Sequence, residues 1–273
     1  MTILDDAAQL VKERLSVDFE SLTIERLVIG LFFTGVKLSN GACGICFTPI
    51  KEIPEAVCCP SSAGRVFDPN KMQGMAVIGV LPGLSSIEPL KVAVSIATLN
   101  ALSSACWSQG WKERYNIKIN MDAQDAVRIL DGNTVAVIGA IVPTLRALND
   151  WGGTWWVVEQ DPKTLRGDEM AHFIPADRSE EVISQADVLI ITGVTLINHT
   201  LEGILQATKP GAEIAVIGPS ASILPDPLFA RGVRVVGGVW VKKPDELLEV
   251  LAAGGSGYHF LDTLADRIVI QKN

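Results

Sequence analysis

Thr195, Asn198 and His199 form the densest group of chemically capable side chains in this sequence, and they follow directly on an apolar run from Val188 to Thr192. The run reads as a strand and 198–208 as a helix, which places Asn198 to cap that helix and His199 in its first turn. The partial positive charge of a helix start favours a neutral imidazole, and a neutral imidazole serves as a base or a metal ligand. The plainer alternative is a polar surface histidine. A second apolar run, Thr154 to Glu159, ends in a carboxylate twenty residues beyond Gly139. At that point of a doubly wound parallel sheet a carboxylate can accept hydrogen bonds from ribose hydroxyls. His199 and Glu159 are therefore the candidate acid–base groups.

Ligands of open parallel sheets lie beyond the carboxyl ends of the strands, where loops and helix N-termini converge. Those ends are Gly139 and Ala140, then Glu159, then Thr192, Gly193, Thr195 and Asn198, then Gly218, Pro219 and Ser220; these are the candidate ligand-binding residues. Gly139 permits close backbone approach and Pro143 suits the first position of a helix. A dinucleotide fingerprint nevertheless needs three spaced glycines, and Gly139-Ala140-Ile141-Val142-Pro143-Thr144 offers one among bulky residues, so NAD and flavin dinucleotides are not expected. Ser220 lacks the Gly-x-Ser-x-Gly elbow of a strained nucleophile and reads as a substrate contact or a simple turn. Asp177 is either a further carboxylate at a strand end or the cap of the helix that begins at Arg178.

Asn100 stands in an otherwise small or apolar stretch from Ile87 to Trp107, where its amide must be satisfied within the core or at a cleft. Cys43 and Cys46 have CxxC spacing, but on a strand residues three apart point to opposite faces and do not close on one metal. The adjacent pair Cys58-Cys59 meets a similar objection. His259, within Gly257-Tyr258-His259-Phe260, belongs to a loop returning over the site or to an ordered terminal turn.

Positioning these groups requires the following elements. An amphipathic helix opens the chain, with Ile3, Leu4, Ala7, Ala8, Val11 and Leu15 at helical spacing. Leu22 to Thr34 and Gly41 to Pro49 read as the strands of a hairpin joined through 35–41, where the Asn40-Gly41 pair favours a tight turn, and Pro54 to Gly74 reads as an irregular loop. A helix follows over 87–107, with Ala93, Ala97, Ala101 and Ser104 leaving room for another backbone, and a linking helix runs from Asp122 to Leu130. Six β-type runs then alternate with helical stretches: Thr134 to Gly139, Thr154 to Glu159, His172 to Ile174, Val188 to Thr192, Glu213 to Gly218 and Val233 to Val241. That alternation is the mark of a Rossmann-like, mostly parallel sheet, and Arg267 to Ile270 adds an edge strand. The domains divide as 1–118 and 119–273.

The 273 residues carry a formal net charge of −8, with 48% hydrophobic and 20% charged residues. Without a basic run to neutralise phosphates, nucleic acid is not an expected partner. The apolar stretch from Val92 to Trp107 is short of the roughly 20 residues of a membrane span and contains polar residues, so a core helix is expected and no membrane partner. The acidic amphipathic start is unlike a signal peptide, which points to a cytoplasmic chain with reduced thiols.

Thr34-Gly35-Val36, Gly41-x-x-Gly44, Ala97-x-x-Asn100-Ala101, Val137-Ile138-Gly139 and Thr192-Gly193, taken in this order, resemble the heavy-metal chelation family, first defined as a domain of unknown function. The resemblance covers nearly the whole chain. It implies an α/β protein with a small α+β domain similar to the enolase N-terminal domain, followed by the Rossmann-like doubly wound sheet, and a site between them that includes Thr34, Gly35 and Asn100. It also implies metal homeostasis, or the condensation or hydrolysis of a pterin-like or chelator-like metabolite. Enolase activity is not implied, because the barrel that carries it is missing. Three functions are weighed: an enzyme acting on a small polar metabolite, a non-catalytic protein holding a metal ion or metal chelate, and an S-adenosylmethionine-type methyltransferase. The first two call for a small-molecule or metal-chelate ligand, and the cofactor is a metal ion or a nucleoside-containing group. A homo-oligomer fits the hydrophobic, acidic composition.

Overall fold

The computed structural model describes residues 1–53 and 68–272. Cys58, Cys59 and the first part of the expected loop lie outside the described residues. Helix α1 (Ile3–Leu15) starts where Thr2 accepts from the Asp5 amide and the Asp5 carboxylate accepts from the Thr2 amide, a capping box that satisfies two helix-start donors. Ile3, Leu4, Ala7, Val11 and Leu15 are buried along one face. Near its end the Arg14 guanidinium donates to the Tyr115 hydroxyl at 2.7 Å and to Asp226 at 3.1 Å, tying α1 to the C-terminal half. A short helix α2 (Val17–Ser21) leads into strand β1 (Ile24–Ile29).

The hairpin expectation is corrected. β1, β2 (Phe33–Leu38) and β3 (Cys43–Phe47) form a three-stranded antiparallel meander in which Gly35 to Leu38, expected as turn, is the central strand. Gly35 lies beneath helix α9 (Pro244–Ala252), and a Cβ there would stand 2.6 Å from Leu248 Cδ2. The glycine thus marks close packing, not a turn. The turn itself falls at the expected Asn40-Gly41 pair, where Gly41 has φ +83° and the Asn40 side chain accepts from the Ala42 amide.

After a short helix α3 (Val77–Val80) comes α4 (Pro89–Ser108), the central helix. It is long and apolar enough to cross a membrane by length and composition, yet 83% of its most apolar window is buried against α1, β2 and β3. A helix apolar on all sides suits a position inside the protein. β3 approaches it very closely: a Cβ on Gly44 would stand 2.2 Å from the Ala101 amide nitrogen and 2.5 Å from the Ala97 carbonyl oxygen, so the small residues of α4 do receive another backbone.

β4 (Asn116–Ile119) is followed, in place of the expected linking helix, by a single 3₁₀ turn over Ala123–Ala126. Asp122 does not cap it; its carboxylate pairs with Arg267 at 2.7 Å. The alternating region then unfolds as β5 (Thr134–Ile138), α5 (Val142–Trp151), β6 (Thr154–Glu159), β7 (Phe173–Pro175), α6 (Ser179–Ile183), β8 (Val188–Thr192), α7 (Leu201–Ala207), β9 (Glu213–Ile217), α8 (Asp226–Ala230) and β10 (Val235–Val241). After α9 come α10 (Gly257–Phe260) and β11 (Ala265–Gln271). The eight-stranded sheet has the order β4-β11-β10-β9-β8-β5-β6-β7, parallel from β10 to β7 and antiparallel at β11 and β4. β11, expected at an edge, is an inner strand because β4 covers it. The fold is therefore mixed α/β, a small antiparallel sheet joined to a large, mostly parallel one. A single apolar cluster runs from Ile3 and Val11 through Ile96 and Leu99 to Ile191, Val216 and Ile270, so both halves share one core.

Candidate functional site at the strand ends

The parallel strands run outward from β5 in two directions, through β6 and β7 on one side and β8, β9 and β10 on the other. In open parallel sheets a reversal of this kind, here between β5 and β8, is where successive connections part and a crevice forms at the strand ends. Gly139 forms one wall with φ +89°, and a Cβ there would meet Thr192 Cγ2 at 2.7 Å. The opposite wall is the turn Gly193–Leu196, in which Thr192 Oγ1 accepts from the Val194 amide and Thr195 Oγ1 donates to the Thr192 carbonyl at 2.7 Å. A Cβ on Gly193 would stand 3.0 Å from the Ala221 amide nitrogen, which brings the third wall, Gly218-Pro219-Ser220, against the second. Gly218, at φ +128°, donates from its amide to the Gly237 carbonyl.

Glu159 ends β6 at this crevice. One carboxylate oxygen accepts from the Ala140 amide at 2.9 Å, and the other from the amides of Gln160 at 2.7 Å and Asp161 at 3.2 Å. The loop preceding α5 thus has a carboxylate on the amide that a phosphate would use in a dinucleotide site, a second physical reason for a different ligand class. Beside it, Lys51 reaches across from the segment after β3 to Asp161 at 2.7 Å. Lys51 holds Asp161 below the usual carboxylate range, and Asp161 in turn raises Lys51. Nothing in the local sequence around Lys51 announced this pairing, which depends on chain segments 110 residues apart.

Asn100, Ser220 and Thr34 are arranged as fasteners. The Asn100 amide donates to the carbonyls of Ile45 at 2.8 Å, Pro219 at 3.1 Å and Ser220 at 3.4 Å, while its Oδ1 is buried without a hydrogen-bond partner. Ser220 Oγ accepts from the Phe47 amide at 3.0 Å and contacts the Cys46 thiol at 3.4 Å. Together they hold the strand-end turn Gly218–Ser220 against β3. Thr34, fully buried, shares a hydrogen bond with Thr48 at 3.0 Å. Gly35 packs under α9 and not at the strand ends.

His199 departs from its expected setting. It precedes α7, at φ +56°, and is not in the first turn; its Nε2 donates to the Ser86 carbonyl at 3.1 Å. The cause is Asn198, whose Oδ1 accepts from the Thr200 amide and hydroxyl in a local turn and leaves α7 to begin without a side-chain cap. His199 therefore links the β8–α7 connection to the segment before α4. His259 Nδ1 meets Ser256 within its own turn. Asp177 is in a 3₁₀ turn before α6 and caps nothing with its side chain. Cys43 and Cys46 face opposite sides of β3, in different apolar clusters, and burial pushes each thiol up to about 12.

The chain is thus a two-sheet α/β protein whose strand order reverses between β5 and β8. Residues 122–270 match the family DUF364 and residues 12–103 match DUF4213, both carrying the description "Putative heavy-metal chelation". The chain belongs to the DUF364 family. Among solved structures, a DUF364 protein of unknown function from Pyrococcus horikoshii superposes with a TM-score of 0.78 at 18% identity, covering 99% of this chain and 100% of the other. Another, from Desulfitobacterium hafniense, gives 0.73 at 17% identity over 98% and 99%. At such identities the likeness establishes the fold. No functionally curated protein matches the sequence.

Proposed function

We propose that the chain binds a small polar organic ligand, or a metal already held by such a chelator, in the crevice between β5 and β8. The observation that carries this reading is the reversal of strand order there, flanked by Gly139, which has no room for a side chain, and by Gly193, which is packed tightly against Ala221. The neighbouring groups are hydroxyls, backbone amides, the Glu159 carboxylate and the Lys51 ammonium, which suit hydrogen bonding to an organic molecule. Among the described residues no three His, Cys, Asp or Glu side chains gather as a metal site. The described thiols are buried and shifted away from the thiolate form that binds metal. A heavy metal in this crevice would accordingly bring its own donors, which reconciles the site with the family description.

Native mass spectrometry with elemental analysis, on protein purified without chelator, tests the proposal. The expected result is an organic mass, with or without metal, that is retained by the wild type and lost in Glu159→Gln while the fold persists. A metal retained alone, or a ligand held equally by the variant, would overturn it.

A further inference from the structure

A second cavity lies away from the strand ends. It measures about 410 Å³, within the range of roughly 300–1,000 Å³ of small-molecule pockets, and none of the crevice residues lines it. Met72, Met75, Val80, Pro82 and Val94 supply apolar walls, and Lys91, Ser85, Ser86 and Ser95 are its polar groups, beside the first turns of α4. We infer that this cavity is a second binding site, for an amphipathic monocarboxylate with a medium-length aliphatic body.

Two glycines line the cavity, and they differ in the space around them. Gly83 is required by packing, because a Cβ there would stand 2.3 Å from Ser95 Oγ. Gly79 has no such requirement: it lies in α3 without positive φ, and the nearest atom to an added Cβ is Met75 Cγ, at an ordinary 3.8 Å. A helical position with room for a side chain favours alanine over glycine, so glycine at 79 gives up helix stability and leaves cavity space open. The walls are braced as a receptacle requires. Ser95 Oγ donates to the Val80 carbonyl at 2.8 Å, Ser86 Oγ accepts from the Glu88 amide at 3.1 Å, and His199 clamps the Ser86 carbonyl. The clamping His199 sits at φ +56°, a sparsely populated backbone region of the kind that gathers around binding sites.

The ligand class follows from the lining. Two methionines give a deformable thioether wall that suits a flexible aliphatic chain better than a planar ring. Lys91 is the cation of the lining; Glu88 takes one of its three N–H donors at 2.8 Å, which leaves donors for a ligand carboxylate, with the Ser85 hydroxyl beside them.

The test is a titration of sodium octanoate into protein labelled with ¹³C at its five methionine methyls. Met72 and Met75 should shift saturably while Met1 and Met170 stay in place. Affinity should rise about fourfold per added methylene from hexanoate to decanoate, from about 0.8 kcal/mol per buried CH₂. Gly79→Leu, checked for an unchanged melting temperature, should weaken binding at least tenfold, and Lys91→Gln should weaken octanoate but leave octanol unchanged. Unmoved Met72 and Met75 signals, octanol binding as tightly as octanoate, or equal binding by both variants would overturn the inference.

Discussion

Replacing Asn100 tests how the strand-end turn is held. Its amide donates at 2.8 Å to the Ile45 carbonyl and at 3.1 Å to the Pro219 carbonyl, with a longer third contact of 3.4 Å to Ser220. Asn100→Ala deprives the buried Ile45 carbonyl of its donor, at about 1–3 kcal/mol, while the Pro219 carbonyl keeps the Ser222 hydroxyl at 2.7 Å and the unpartnered Oδ1 disappears with the amide. The net loss is about 2 kcal/mol, which for a chain of this length lowers the melting temperature by about 4–8 °C. Asn100→Asp keeps the shape and turns the donor into an anion facing carbonyl oxygens, so it should cost at least as much at neutral pH. Unlike the alanine variant, it should regain stability on acidification, because the protonated acid donates one hydrogen bond. Equilibrium urea unfolding provides the assay, read as a shift in midpoint at constant slope. A loss below about 0.5 kcal/mol, the level of an ordinary surface substitution, together with no pH difference between the two variants, would refute the reasoning.

Gly139→Ala should cost about 2 kcal/mol or more, from its positive φ and from the contact at 2.7 Å with Thr192 Cγ2. Adding Thr192→Ser removes that methyl, so a double-mutant cycle should show coupling above about 0.5 kcal/mol; strict additivity would contradict the packing. Asp187 accepts from Lys209 and from the amide and hydroxyl of Thr134, which lowers its pKa to about 2. A carboxyl lowered in the folded state adds stability above its unfolded pKa of about 3.9 and loses it as pH falls toward 2, so Asp187→Asn should flatten acid unfolding over that window. An unchanged acid midpoint would count against this. Cys43, Cys46 and Cys106, all buried with pKa pushed up to about 12, should stay unlabelled by a thiol reagent at pH 8 until denaturant is added, as peptide mapping by mass spectrometry would show.

The parallel sheet was legible because its strands are short apolar runs between helical stretches. Thr154 to Glu159 and Val188 to Thr192 begin and end where expected, and the strand ends then locate Gly139, Glu159, Thr192 and Gly218 with no further information. Local signals misled where long-range packing overrode them. Gly35 reads as turn chemistry, but its missing side chain accommodates Leu248 from the far end of the chain. Asp122 reads as a helix cap, but its carboxylate answers Arg267. The site followed the same division. Positions along the strands were accessible from periodicity, whereas partners were not: Asn100 serves three distant carbonyls, Glu159 serves three loop amides, and Asn198 spends its oxygen on Thr200 and so moves His199 out of the helix toward Ser86.

The central claim is the location of the ligand, and a crystal structure of the protein with its co-purified ligand retained tests it most directly. Density is expected in the crevice, in contact with the loop Gly139–Ile141 and the turn Thr192–Thr195. Density confined to the Met72–Met75 cavity, or a metal bound by protein side chains alone, would contradict it.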